Sequence, residues 1–193
     1  MPRVVASVLD SGDLPLAELC AARLDGEVYA VDDCFAAMDE VNATAVRAAV
    51  VARMAPRRAI AELETALWIY GILQHPPARH RFCINVAERA RTPQSSRFTV
   101  RECVIRAGDV VGVAGTPITS ALRTTVDILR TSAQFGRDEQ SAVTDLLSLG
   151  ELGVDECEER LRSQPSAPGN RRALERLATL AGNNRTPSAT HLS

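Results

Sequence analysis

The stretch GTPITSALRTTVDILR, residues 115–130, marks the point at which the predicted fold changes from strands to helices. A short strand over 110–113 precedes it, and Gly115 ends that strand region. Thr119 or Ser120 can cap a helix through its hydroxyl oxygen. Within that helix the apolar residues recur at the i, i+4, i+7 spacing of one face, at Leu122, Val126 and Leu129. The stretch therefore predicts a capped amphipathic helix after a small sheet.

The same stretch also holds the densest group of polar side chains in the sequence. Arg123 and Asp127 lie one helical turn apart, so they can pair with each other or with the sheet. Three roles stay open for this group: a structural one, contact with a partner protein, and catalysis. A single arginine and a single aspartate one turn apart do not make a nuclease, so the stretch by itself predicts no enzyme.

The remaining chain alternates helical and strand-like patterns. Strands are predicted where apolar and polar residues alternate, and helices where apolar residues recur every three or four positions. A turn at Asp32 and Asp33 divides the first strand region into a β-ribbon. Predicted helices cover about 16–26, 44–55, 58–70, 121–131, 138–149, 155–162 and 170–181, and predicted strands cover 27–35, 82–86, 98–105 and 110–113. This order indicates an α+β fold with a small mixed or antiparallel sheet and a helical C-terminus.

Charge is segregated along the chain although the 193 residues carry a net charge of only −2. Residues 1–46 hold nine acidic residues against two arginines, whereas residues 47–106 hold eleven arginines against four acidic residues. Blocks of −7 and +7 in one chain suggest that the two dock on each other or form an oriented binding surface. A third explanation is that the two blocks form solvent-exposed faces that differ in charge and have no partner. All 22 basic residues are arginine, which favours planar, bidentate contacts.

Several arginines in the basic block are candidates for contact with a partner. Arg57 and Arg58 open the helix predicted over 58–70, where a cation opposes the helix dipole unless an acid or a phosphate meets it. The loop arginines could form a patch for nucleic acid or for an acidic protein face, and they are Arg79, Arg81, Arg89, Arg91 and Arg97. Few aromatic residues lie between them, so stacking on single-stranded nucleic acid is not indicated.

Composition argues against other classes of protein. No run approaches the roughly 20 apolar residues of a membrane span, and the N-terminus lacks a secretory pattern, so we expect no membrane association. Five widely spaced cysteines indicate a reduced, cytoplasmic chain. The three histidines, at 75, 80 and 191, lie in or near a proline loop or in the tail. Neither a catalytic triad nor a metal site is predicted from them, and we expect no cofactor and no enzymatic activity.

Three segments resemble the AbiEi-type antitoxins of bacterial toxin–antitoxin systems, in the form common in high-GC actinobacteria. They are LCAARLDGEVYAVDDCF (19–35), ETALWIYGIL (64–73) and, most specifically, GTPITSALRTTVDILR (115–130). The resemblance implies a winged helix-turn-helix before an α/β antitoxin domain. It would make residues 16–24 the recognition-type helix and residues 27–35 the wing. It also implies a nucleotidyltransferase-like toxin as partner and repression of the chain's own promoter.

These observations lead to one main hypothesis and two alternatives. The chain is predicted to be a non-enzymatic antitoxin whose acidic N-terminal block covers a basic toxin site. The first alternative is a DNA-binding regulator that uses the basic middle, and the second is an enzyme on a borrowed scaffold. The predicted domains are an acidic, partial winged-helix-like segment (1–46), an α/β antitoxin core (47–132), a helical region (133–182) and a flexible tail (183–193). The predicted partner-binding residues are Asp32, Asp33, Arg57, Arg58, Arg89, Arg91, Thr119, Ser120, Arg123 and Asp127.

Overall fold

The computed structural model describes residues 8–88 and 95–184, with side chains up to residue 182. The chain divides into two compact units, one that ends at Ser120 and one that begins at Ala121. The first unit contains two sheets and three helices, and the second contains four helices. The predicted α+β fold with a helical C-terminus is therefore confirmed. No helix in the described part of the chain is long and apolar enough to cross a membrane.

The first unit begins with a small antiparallel sheet that carries one helix. Strand β1 (Val8–Leu9) is followed by helix α1 (Leu16–Leu24) and by strands β2 (Val28–Val31) and β3 (Cys34–Ala37). The sheet order is β1-β3-β2. Between β2 and β3 the backbone turns at Asp32, whose φ is 52°, a conformation that aspartate tolerates better than most residues. The predicted helix and β-ribbon are both present, whereas β1 was not predicted.

A five-stranded mixed sheet forms the larger part of this unit. Its elements are α2 (Ala43–Met54), β4 (Ile60–Ala61), α3 (Leu63–Tyr70), β5 (His80–Asn85), β6 (Phe98–Cys103), β7 (Val110–Val113) and β8 (Thr116–Thr119). The strand order is β6-β5-β4-β8-β7. Strands β5 and β6 are parallel, as are β4 and β8, while the other two pairs are antiparallel. The prediction of a small mixed sheet is confirmed.

Helices α2 and α3 supply about half of the apolar core of the first unit. Val50 on α2 and Trp68 and Ile69 on α3 are almost fully buried, together with Phe82 and Ile118 of the sheet. Helix α2 is capped by Asn42, whose side-chain oxygen accepts a hydrogen bond from the backbone N–H of Ala45 at 3.0 Å. Ala48 and Ala49 of α2 are also buried. Their small side chains let α2 lie close to its neighbours.

The prediction of one helix over 58–70 is wrong at its start. The backbone of Arg58 is left-handed, with φ at 63°, and residues 60–61 then form strand β4 before α3 begins at Leu63. Arg57 and Arg58 therefore precede a strand and do not open a helix. The apolar spacing of Ile60 and Leu63 fitted a helix because two residues of strand are too short to show a period of their own.

The second unit is built around the helix predicted from residues 115–130. Helix α4 (Ala121–Thr131) packs against α5 (Arg137–Leu149), α6 (Val154–Arg162) and α7 (Asn170–Asn184). All four predicted helices are present. Arg130 of α4 donates hydrogen bonds to the side-chain oxygen of Asn170 at the start of α7, at 2.9 and 3.2 Å. Gly169 allows this close approach, because a Cβ there would lie 2.5 Å from the carbonyl oxygen of Arg130.

The predicted division at residues 46, 132 and 182 follows charge and motifs, whereas the division into compact units falls between residues 120 and 121. Nothing in the fold tests those predicted domain boundaries, and they stay a prediction. Of the predicted flexible tail, residues 183–184 continue the backbone of α7, and residues 185–193 lie outside the described residues.

Candidate functional site

A buried carboxylate in the turn between β2 and β3 joins the N-terminal hairpin to the five-stranded sheet. The Asp32 side chain is only 8% exposed. Its Oδ2 accepts a hydrogen bond from Nε2 of His80 at 2.9 Å, and its Oδ1 accepts one from Nη2 of Arg97 at 2.9 Å. His80 begins β5 and Arg97 directly precedes β6. The turn is therefore held to two neighbouring strands by charge-assisted hydrogen bonds.

The hydrogen bonds continue behind His80 to helix α3. The backbone N–H of Arg81 donates to Oγ1 of Thr65 at 2.7 Å, and this oxygen lies 3.2 Å from Nδ1 of His80. The carboxylate of Asp32 can only accept, so the proton between it and His80 lies on Nε2. The Thr65 hydroxyl can donate a hydrogen bond to Nδ1 or accept one from it. The side-chain polar atoms of Asp32, His80 and Thr65 each have a partner, as burial requires, whereas Nε of Arg97 is buried without one among the described residues.

Thr65, His80 and Asp32 have the residue types and connectivity of a nucleophile, base and carboxylate triad. However, Thr65 and His80 are both fully buried, so no substrate reaches the hydroxyl oxygen. We call Asp32, His80, Arg97 and Thr65 the buried anchor and assign it a structural role. The buried anchor was not predicted from the sequence, because its members lie 15 or more positions apart and His80 adjoins a proline loop.

The environment of Asp32 favours its charged form. Burial raises the pKa of this carboxyl group, but the hydrogen bonds from His80 and Arg97 outweigh that effect, so the pKa lies below its ordinary value of 3.8. The charge is consequently retained at neutral pH within a poorly hydrated site. Removal of the Asp32 charge would leave the exposed Asp33 as the ion-pair partner of Arg97.

Ion pairs between the acidic and the basic blocks show that the two blocks dock on each other. Besides Arg97 with Asp32 and Asp33, the guanidinium of Arg53 on α2 binds Asp10 and Asp13, at 2.7 Å for Asp10. Hydrogen bonding from Arg53 and from the N–H of Gly12 lowers the pKa of Asp10. These contacts correspond to internal docking, one of the three explanations given for the segregated charge.

Two more arginines of the basic block pair with acids of the same block. Arg101 binds both carboxylate oxygens of the buried Glu62, at 2.6 to 2.9 Å. Arg58 donates to the backbone carbonyl of Glu88 at 3.0 Å and lies 3.8 Å from its carboxylate. Arg53, Arg58, Arg97 and Arg101 are thus all engaged within the first unit. The basic middle presents less free positive charge than its sequence suggests.

The acidic block keeps several carboxylates on the surface after this pairing. Glu18, Asp25 and Glu27 are exposed on and just after α1. Within residues 8–88 and 95–182, no ion pair involves any of these three. The surface around α1 is therefore acidic.

The predicted partner-binding residues fall into several environments. Asp32 is buried in the anchor, while Asp33, with 63% of its side chain exposed, and Arg57 lie on the surface. Arg89 and Arg91 lie outside the described residues. Their part in partner binding stays a prediction.

Most of the polar group of residues 119–127 is buried, and Ser120 is half-buried. Thr119 donates through Oγ1 to the carbonyl oxygen of Ala61 at 3.3 Å, and the N–H of Ser120 donates to the carbonyl of Asp109 at 2.8 Å. Arg123 pairs with Asp127 at 2.9 Å within α4, and both side chains are buried. These contacts fit the structural alternative, and contact with a partner stays a prediction for these residues.

A shallow cavity of about 240 Å³ opens beside the buried anchor. Tyr29, Asp32, Arg47, Trp68 and His75 are among its lining residues. Arg47 donates to the carbonyl oxygen of Trp68 at 3.2 Å. The described residues contain no group of three or more side chains that could hold a metal ion.

A comparison with protein families decides the identity of the chain at the family level. The sequence model for the AbiEi antitoxin C-terminal domain matches residues 59–183, more than half of the chain. The chain belongs to the AbiEi antitoxin family. The matched region includes Thr65, His80 and Arg97 but not Asp32, so the buried anchor joins the preceding segment to this antitoxin domain. Family membership supports an antitoxin role.

The crystal structure of the RV2827C protein from Mycobacterium tuberculosis is similar to this antitoxin, with 18% sequence identity and a TM-score of 0.49. The similarity covers 96% of this chain and 75% of that chain. No curated protein matches the chain.

The charge of Asp32 is expected to stabilise the first unit. The substitution Asp32→Asn removes the charge but keeps a side chain that tolerates the left-handed turn. We expect it to lower the free energy of unfolding by about 1–3 kcal/mol at neutral pH. Because the pKa of Asp32 is lowered on folding, this difference should be complete above about pH 5 and should shrink as the pH falls through the folded pKa, below 3.8.

Urea unfolding of wild type and variant at several pH values measures this effect. Asp33→Asn is the matched control, because Asp33 also pairs with Arg97 but is exposed, and its loss should stay below about 0.5 kcal/mol. Equal losses in the two variants would show that the buried anchor does not depend on the charge of Asp32.

Proposed function

We propose that this AbiEi antitoxin neutralises a nucleotidyltransferase-like toxin by direct contact between the two proteins. The observation that carries the proposal is the distribution of charge after folding. Several arginines of the basic block, among them Arg53, Arg97 and Arg101, are engaged in internal contacts. Glu18, Asp25 and Glu27, by contrast, remain exposed around α1. A surface of this sign attracts a basic partner.

The expected chemistry of the toxin supports this choice. An enzyme that transfers a nucleotide to RNA must bind phosphate groups, and such sites are rich in arginine and lysine. An acidic protein surface can compete with the phosphates for that site. Steering by opposite charge also speeds the encounter of the two proteins, which matters for an antitoxin that must act before the toxin modifies its target.

Expression in a bacterial host tests the proposal. The product of the neighbouring reading frame should arrest growth when expressed alone, and co-expression of this antitoxin should restore growth. The two proteins should also co-purify at low salt. Growth arrest that persists in the presence of soluble antitoxin would contradict the antitoxin role. Restored growth without a complex at any salt concentration would contradict only the direct contact.

Repression of its own promoter is a second candidate function. It is favoured by the arrangement of α1 and the β2–β3 hairpin, which has the order of a recognition helix and a wing. Arg57 and Arg106 are exposed and could contact phosphates. The acidic residues around α1 oppose DNA at that helix, so phosphate contacts would fall mainly to the arginines of the middle block.

A gel-shift titration with the upstream DNA of the operon measures this second function. If the exposed arginines contact the backbone, affinity should fall steeply with salt, with a log–log slope of about −0.9 for each phosphate contacted. Arg57→Gln should reduce the slope by about one such contact, and the matched control Arg53→Gln, which removes an arginine already bound to Asp10, should leave it unchanged. The absence of any salt-sensitive complex would exclude promoter binding.

A further inference from the structure

The cavity beside the buried anchor contains an arginine that has no acidic partner among the described residues. Arg47 is half-buried and lines the cavity from α2. Its Nη1 donates to the carbonyl oxygen of Trp68 at 3.2 Å, and no carboxylate of the described residues pairs with its guanidinium group. By comparison, Arg97 and Arg101, which are also half-buried, each bind a carboxylate. A guanidinium group carries five N–H donors, so an anion in the cavity could satisfy those of Arg47 that remain.

The surrounding backbone fixes the position of the Arg47 guanidinium group. On one side it is held by the hydrogen bond to the carbonyl oxygen of Trp68. On another it lies against Gly71, where a Cβ would be 3.0 Å from Nη1 of Arg47. Gly71 also has a φ of 85° as it ends α3, so two constraints favour glycine there. A side chain that is already positioned loses less conformational entropy when it binds a ligand.

Part of the cavity wall is apolar. Val31 of β2, Val46 of α2 and Pro76 of the loop after α3 line it, together with the half-buried ring of Tyr29. The volume of about 240 Å³ lies just below the range of about 300–1,000 Å³ that small-molecule pockets usually have. A ligand of this cavity must therefore be small, with an apolar body beside its anionic group.

Asp32 limits the charge that such a ligand can carry. This residue also lines the cavity, and its carboxylate stays ionised because His80 and Arg97 donate hydrogen bonds to it. A multiply charged anion such as inorganic phosphate would be attracted by Arg47 but repelled by Asp32. A single carboxylate group has one negative charge, and it can accept two parallel hydrogen bonds from a guanidinium group. It therefore fits the cavity better than phosphate does.

We propose that the cavity binds a small organic monocarboxylate, with the carboxylate group on Arg47 and the apolar body against Tyr29 and Val46. The site is additional to any surface through which the antitoxin contacts a toxin or DNA. Its wall combines β2 of the N-terminal hairpin with α2 and α3. A bound ligand would add contacts between these elements, so it would stabilise the hairpin in the position that the buried anchor gives it.

Matched probes test the proposal on the full wild-type chain. Phenylacetate and its amide, phenylacetamide, have nearly the same shape and differ in charge, and inorganic phosphate represents multiply charged anions. Trp68 lines the cavity and is the only tryptophan of the 193 residues, so the NMR signal of its indole N–H reports binding there. We expect phenylacetate to shift this signal with a Kd in the millimolar range, as its small size allows. Phenylacetamide and phosphate should bind at least about tenfold more weakly, because charge-assisted hydrogen bonds are the stronger ones.

Substitutions locate the binding site. Arg47→Gln removes the charge but keeps a donor for the Trp68 carbonyl, and we expect it to abolish the preference for phenylacetate over phenylacetamide. Arg53→Gln on the same helix is the matched control, because Arg53 binds Asp10 and does not line the cavity, and the preference should be unchanged. Ala30→Phe is a second variant that leaves Arg47 in place. Ala30 lines the cavity from β2, where a strand accepts an aromatic residue, so this change should weaken the binding of both probes.

Several results would overturn the proposal. If phenylacetate and phenylacetamide bind wild type equally well, or if neither shifts the Trp68 signal, the cavity is not a carboxylate site. Tighter binding of phosphate would assign it to multiply charged anions. Binding of phenylacetate that persists in both Arg47→Gln and Ala30→Phe would place the ligand elsewhere. Hydrogen exchange completes the test, because saturating phenylacetate should slow the exchange of the backbone amides of β2 and β3, and unchanged rates would contradict the stabilisation of the hairpin.

Discussion

The hydrogen bonds from His80 and Arg97 to Asp32 are the interaction on which the arrangement of the first unit depends. They hold the turn of the β2–β3 hairpin to the five-stranded sheet. Helix α1 itself has one buried residue, Leu19, and it packs against β2, so its position follows from that of the hairpin. A carboxylate that is buried and fully hydrogen-bonded tolerates little displacement, because any movement would leave charged groups unpaired.

The buried anchor and the neighbouring ion pairs also explain how a nearly neutral chain can present a charged surface. Arg53 and Arg97 engage acids of the N-terminal block, and Arg101 engages Glu62. Much of the positive charge of the middle block is thereby used within the unit. The acids that remain lie around α1, beside its exposed leucines. Internal pairing, more than net charge, therefore determines which kind of partner this antitoxin attracts.

Local patterns in the sequence predicted most of the fold, whereas contacts between distant residues could not be predicted. The stripe of α4 and the turn at Asp32 were visible because helices and hairpins follow from neighbouring residues. Strands β4 and β8 were not, since Ile60–Ala61 is too short and Thr116–Thr119 contains a proline. The buried anchor joins positions 32, 65, 80 and 97, and no spacing rule connects them. The exposure of α1 was equally hidden, because its apolar spacing resembles that of a helix that packs on a core.

Alkylation of Cys20 tests most directly the central proposal that this antitoxin meets its toxin at the acidic surface around α1. Cys20 is exposed on helix α1, while Cys34 and Cys157 are buried. Burial raises the pKa of both buried thiols to about 11, so they should react slowly. N-ethylmaleimide labelling followed by peptide mass spectrometry would compare the free antitoxin with its complex. Saturating toxin is expected to slow the labelling of Cys20 strongly. An unchanged rate at Cys20 in the saturated complex would contradict it.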